Sequence, residues 1–226
     1  MRRLIILFFI MSGVSCSTSK YLSSDVKPAE INDMLKIEPF SYISLIEQGN
    51  RSYYNDSISQ STKIILNQLL DSYKWHLRLS SIEVQLTDYS RGRLEEEISF
   101  LLTSVERNKS IKYIQITPLI DSLLRANNKR FGLIVVQNGF TRAKGNYGGQ
   151  VAKAVGLGIL TGVLTGIAFY ETPIKANSTL YAMIVDNREK NIAFYHKSSL
   201  QDKEPTERTN FITQINNIFG KYFWRK

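Results

Sequence analysis

The chain predicts an α/β fold: a mixed, mostly parallel sheet of about five strands with helices packed on it, plus an apolar glycine-zipper helix. Three observations carry this. Between residues 58 and 136, apolar stripes of helical spacing alternate with short strand-like runs, the pattern of βαβ crossovers. Two later apolar runs, Leu180 to Val185 and Ile192 to His196, flank the polar stretch Asp186-Asn187-Arg188-Glu189-Lys190-Asn191 and read as a hairpin, which adds antiparallel pairing. Apolar residues make up 43% and charged residues 22% of the chain, which excludes a disordered protein and supports a full core.

Each element follows from its own pattern. Ile65, Leu66, Leu69, Leu70 and Tyr73 recur at helical spacing, and regular structure is expected from about residue 58. Ile82, Val84 and Leu86 alternate with Glu83, Gln85 and Thr87, as in a half-buried strand. Leu94, Ile98, Leu101, Leu102 and Val105 form one face of an amphipathic helix. Glu95, Glu96 and Glu97 are placed in its first turn, favoured there by the helix dipole. They point in different directions, so they do not read as a metal site. Tyr113 to Ile116 is a second strand candidate. Thr117-Pro118 then reads as a helix cap followed by a first-turn proline, and Leu119, Ile120, Leu123 and Leu124 supply that helix's stripe. Phe131 to Val136 is nearly all apolar, as expected of a strand covered on both faces. Phe211, Ile215, Ile218, Phe219 and Tyr222 mark a last amphipathic helix.

The start of the chain has a separate logic. Met1-Arg2-Arg3 is positive, Leu4 to Met11 is apolar, and Gly13-Val14-Ser15-Cys16 ends the run at the only cysteine. The run is too short to span a bilayer, which takes about 20 apolar residues, and fits a processed signal. This pattern resembles the signal peptide of bacterial lipoproteins. The resemblance implies cleavage before Cys16, acylation of its thiol, and anchoring by several acyl chains. No thiol then remains for a disulfide. Ser17-Thr18-Ser19-Lys20 carries no acidic residue after the cysteine, which by the same analogy favours the periplasmic face of an outer membrane. The organisation expected is a signal peptide over 1–15, a lipidated tether and N-terminal extension over 16–57, and a single α/β domain over 58–226 with an apolar, glycine-rich insertion at 145–172.

The formal net charge is +9, two of it in the signal. The basic residues are scattered, so the charge reads as a solvated surface, with anionic envelope polymers as the next candidate and nucleic acid excluded. The strand at Phe131 to Val136, the apolar insertion and the hairpin at Val185-Asp186 resemble the α/β domain of envelope lipoproteins related to the curli secretion channel. That resemblance implies an accessory role in assembly or secretion and no catalytic residues. The partners expected are the membrane, through the N-terminal lipid, and a homo-oligomer or envelope protein complex.

Enzymatic motifs are missing from the sequence. His76 and His196 have no metal-ligand spacing, and no Gly-x-Ser-x-Gly elbow or phosphate-binding glycine fingerprint occurs. No catalytic residue, metal or cofactor is expected. The rival reading is a periplasmic ligand-binding or enzymatic domain that uses the ends of its strands, near Thr117, Asn138 and Gly139.

Ala154 to Tyr170 carries no charge, and Ala154, Gly158, Gly162 and Gly166 stand four apart. On a helix they form one narrow face that lets another backbone approach closely. Two settings remain open: packing within the subunit, or association in a membrane. Gly162→Leu separates them. Internal packing predicts a loss of about 1–3 kcal/mol in the melting of the soluble domain. Membrane association predicts unchanged melting and loss of oligomers in mild detergent.

Overall fold

The computed structural model describes residues 21–47, 51–84, 86–144 and 174–224. Cys16 and the ladder Ala154, Gly158, Gly162, Gly166 lie outside the described residues.

The architecture is built on β6 (Phe131–Arg142), whose residues from Phe131 to Phe140 are all buried. It pairs antiparallel with β7 (Asn177–Asp186), from Phe131 opposite Asp186 to Phe140 opposite Asn177. Its other edge is shared by two short parallel strands. β2 (Met34–Lys36) meets Gly132 and Leu133, and β3 (Phe40–Ile46) meets Val136 to Arg142. Pro39 lies between them, where a residue without an N–H is tolerated because the ladder is interrupted. β7 continues to β8 (Asn191–Gln201), and β1 (Leu22–Ser23) closes that edge. β5 (Leu79–Glu83) adds parallel to β2, and β4 (Ser52–Tyr54) antiparallel to β3.

Helices cover both faces, and side chains alternate along β6 to meet them. Leu133 and Val135 join the core under α1 (Asp56–Ser72) and α4 (Arg208–Phe223), with Leu66, Leu69, Leu70, Phe211, Ile215 and Phe219. Ile134 and Val136 join the opposite core under α2 (Asp88–Asn108) and α3 (Pro118–Ala126), with Leu94, Ile98, Leu102, Ile120 and Leu124. Each such side chain contributes roughly 1.5–3 kcal/mol by leaving water.

Helix starts are capped locally in two cases: Asn55 accepts from the Ile58 N–H at 3.0 Å, and Thr87 from the Ser90 N–H at 3.2 Å. In α3 the cap comes from another element. The Thr117 hydroxyl makes no cap bond, and Glu97 of α2 accepts from the Leu119 N–H at 3.2 Å. The glutamates therefore do not serve their own helix. α2 begins at Asp88, which leaves them beyond its first turn; Glu97 serves the positive end of α3, and Glu95 accepts from the Tyr42 hydroxyl.

The fold class is α/β with a mixed sheet, and it differs from the sequence reading in four respects. The sheet is not mostly parallel. It has eight strands, with three parallel pairings against four antiparallel, and the longest ladders are antiparallel. Among the described residues, regular structure is present from Leu22 rather than from about 58, in early strands two to seven residues long that mix polar with apolar positions. Tyr113 to Ile116 is a turn, with Tyr113 left-handed at φ 63° and fully exposed; only an isolated Gln115–Asn191 bridge remains of the expected strand. The strand expected at 82–86 is β5, shifted toward Leu79, with Ile82 exposed.

The end of β6 and the start of β7 lie side by side, with Phe140 opposite Asn177. Near that end, a Cβ on Gly139 would stand 2.3 Å from the Asn177 carbonyl oxygen, a backbone atom that cannot step aside. Gly139→Ala is expected to lower stability by about 1–3 kcal/mol, read as a shift of the urea midpoint at unchanged slope.

Candidate functional site

The residues singled out as strand ends do not converge. Thr117 lies beside the β7–β8 turn, where the Ile116 N–H donates to the Lys190 carbonyl at 3.0 Å. Asn138 and Gly139 are inside β6, paired on both sides with β3 and β7. Seven residues of strand separate Asn138 from Phe131 at the turn end, roughly 23 Å at the usual rise. The apolar run that ends at Val136 concealed this, because the strand continues through the polar pair Gln137-Asn138.

That polar half of the sheet has two different faces. Toward α4, Gln137 is fully buried. Its carbonyl accepts from the Ser41 hydroxyl at 3.1 Å, and its amide donates to the Pro205 carbonyl at 2.8 Å and to Ser178 at 3.3 Å. Ser178 donates in turn to Gln214 at 3.2 Å, and the Gln214 amide reaches the Ser178 and Ser198 carbonyls, both at 2.9 Å. Both glutamines are consumed in holding α4 to the sheet. Toward α2, Tyr42, Asn138, Thr179 and Ser199 stand side by side across four strands. Thr179 and Ser199 share a hydrogen bond at 2.9 Å, while the Asn138 side-chain oxygen is buried without a hydrogen-bond partner among the described residues. Burial and then the Glu95 carboxylate push the Tyr42 hydroxyl well above the usual phenol range, so it remains a donor. This strip offers hydrogen-bonding hydroxyl and amide groups.

The opposite end of the sheet carries an open groove of about 390 Å³ lined by Arg125, Asn128, Lys129, Arg130, Asn187 and Arg188. Its cations are largely committed. Arg130 forks onto the fully buried Asp186, with Nη2 to Oδ2 at 2.8 Å and Nε to Oδ1 at 3.1 Å, and that hydrogen-bonded carboxylate raises the guanidinium's pKa. Lys129 pairs with Asp33, and Arg125 and Lys190 pair with Asp121. The network ties α3, the β7–β8 turn and the N-terminal segment together.

The histidines are not neighbours in a metal site. His196 is buried, its ring 6.4 Å from Tyr21, and burial followed by the Lys221 charge lowers its pKa, so it favours the neutral form. His76 packs against Tyr73 and Trp224. Among the described residues no cluster of three His, Cys, Asp or Glu is disposed to hold a metal.

No protein-family model and no curated protein matches the chain. Among solved structures, a PelC dodecamer from Paraburkholderia phytofirmans aligns over 92% of this chain and 97% of that chain, at 7% identity and a TM-score of 0.37. The C-terminal domain of LpoB from Salmonella enterica aligns over 79% of this chain and 87% of that chain, at 8% identity and a TM-score of 0.31. At TM-scores this low the likeness carries no argument about what this chain does.

One partly buried cluster has a pH-dependent role. Glu106 accepts from the Tyr195 hydroxyl at 2.6 Å and pairs with Lys197. Burial acts to raise its pKa, but Lys197, Tyr195 and Lys109 together outweigh it and hold the carboxyl below its ordinary value. Its stabilising effect is therefore complete above the ordinary value of 4.5 and fades as pH falls below it. Glu106→Ala leaves the buried Tyr195 hydroxyl without its acceptor and is expected to cost about 1–3 kcal/mol at neutral pH. Urea unfolding at pH 7 and below pH 4 checks this: the gap from the parent should narrow in acid.

Proposed function

We propose that the chain is a lipoprotein anchored through Cys16 at the periplasmic face of the outer membrane, with a non-enzymatic structural or accessory role in an envelope assembly or secretion complex. The observation that carries this reading is how soon after Cys16 the fold begins. Tyr21 already packs on Phe194 and Tyr222, and Leu22 pairs with Tyr195 of β8. The stretch expected as a lipidated tether and N-terminal extension contributes β1 to β4 to the sheet.

The buried polar residues of the sheet and hairpin turn are used to hold the fold together. Gln137 holds the segment before α4, Gln214 holds α4 to β7 and β8, Asp186 binds Arg130, and Glu97 caps α3. The rival ligand-binding reading draws its support from the strip around Asn138, whose side-chain oxygen is buried without a hydrogen-bond partner among the described residues. The strand-end placement it started from is gone, since Asn138 is interior to β6.

Metabolic labelling with a clickable fatty acid is expected to mark the chain and to place it in the membrane fraction. Cys16→Ala should abolish both. Unchanged labelling in that variant would end the lipoprotein reading, and crosslinking in intact envelopes identifies the complex.

A further inference from the structure

We propose that the open groove at the β7–β8 turn binds an acidic sugar, a saccharide unit carrying a carboxylate or a phosphate. The site is independent of the lipid anchor and adds a ligand to the non-enzymatic reading.

The groove holds about 390 Å³ between the end of α3 and the turn. That is the size of a small-molecule site and more than a bare ion fills. Among the described residues its lining is four cations and two asparagines, with no carboxylate and no apolar residue.

Arg130 is the fixed element of this lining. A guanidinium carries more N–H donors than a fork onto one carboxylate uses. Arg130 turns Nε and Nη2 onto the buried Asp186, and its Cζ stands 4.6 Å from the centre of the Phe131 ring. Nη1 makes no hydrogen bond among the described residues. A guanidinium edge held still and left without a partner is suited to grip an oxyanion. The same Asp186 also accepts from the Arg188 and Glu189 N–H groups at 2.8 and 3.3 Å, and the Asn187 N–H donates to the Arg130 carbonyl at 2.7 Å. One carboxylate thus positions both Arg130 and the backbone from which Arg188 projects. Across the groove, the Asn128 and Lys129 N–H groups donate to the Arg125 and Leu124 carbonyls at 3.0 and 2.9 Å, so these α3 oxygens are already satisfied when an anion enters.

The cations are not all committed alike. Lys129 pairs with Asp33 and Arg125 with Asp121. Arg188 faces only its neighbour Glu189 among the described residues, at 3.8 Å and beyond hydrogen-bond reach, with a side chain 73% exposed. Asn128, left-handed at φ 53°, makes backbone hydrogen bonds alone among the described residues. The groups left over are therefore two guanidinium edges and one carboxamide. The guanidiniums suit an oxyanion, and the carboxamide, donor and acceptor at once, suits a hydroxyl beside it. An acidic sugar presents that pair of groups together. Asp33, Asp121, Asp186 and Glu189 balance much of the positive charge, so recognition depends on these short contacts and not on a general attraction for polyanions. A lipid headgroup fits less well, because its acyl chains would meet no apolar side chain here.

The full chain, purified in a polyoxyethylene detergent that carries no sugar, is titrated by calorimetry with glucuronate, the phosphate ester of glucose at its primary hydroxyl, glucose itself and inorganic phosphate. At least one of the two acidic sugars is expected to bind, and comparing them tells which oxyanion is held. Glucose and inorganic phosphate, each lacking one set of contacts, should bind about tenfold more weakly or less. Arg188→Ala should weaken the acidic sugar about tenfold with unchanged melting. Asn128→Gly keeps the left-handed backbone, and should weaken the acidic sugar while leaving inorganic phosphate unaffected. Failure of both acidic sugars to bind overturns the proposal. Inorganic phosphate binding as tightly as the sugar makes this an anion site without a sugar, and overturns it too. Sugar binding that Arg188→Ala leaves unchanged lies elsewhere on the molecule and has the same consequence. Binding confined to phosphatidylglycerol vesicles assigns the groove to a lipid headgroup and likewise overturns it.

Discussion

The double burial of β6 is the constraint on which the other elements depend. Ten consecutive residues without solvent require apolar side chains on both faces and hydrogen-bond partners on both edges. β7 supplies one edge along that whole length. The other edge is supplied in two pieces, β2 and β3, divided at Pro39. The two helical layers follow from the same strand, because its side chains alternate between the core under α1 and α4 and the core under α2 and α3.

Where β6 turns polar, the consequences differ by face. Gln137 is as buried as its apolar neighbours, so its amide must be satisfied within the protein; the Pro205 carbonyl just before α4 and the Ser178 and Ser41 hydroxyls do it, and Gln214 of α4 joins the network through Ser178. A satisfied network of this kind positions a helix more specifically than apolar contact alone. One residue later, Asn138 faces the other way and its side-chain oxygen has no hydrogen-bond partner among the described residues. At the hairpin-turn end of the sheet, carboxylates gather the cations into structural pairs.

The amphipathic helices were legible because their periodicity records burial directly. All five stripe residues of α2 and all five of α4 are in the core. The hairpin around Asp186 to Asn191 was legible for a similar reason: a polar turn between two apolar runs has few other solutions. β2 and β3 were not legible. Short strands beside Pro39, with serines at 41 and 44 buried, show no clean period, and only pairing with β6 makes them strands.

The sequence by itself determined which faces are apolar, hence the four helices among the described residues, a hairpin and a strand buried on both sides, and it carries the lipoprotein-like run up to Cys16. Tertiary structure decided the rest. Pairing partners, strand direction and the fate of buried polar groups depend on residues distant in the chain: Glu97 caps a helix that is not its own, Gln137 is satisfied from residues 205 and 178, and Tyr21 is fixed by α4. Local periodicity encodes how much surface a segment buries, and long-range hydrogen bonds and contacts, which no local window contains, encode against what.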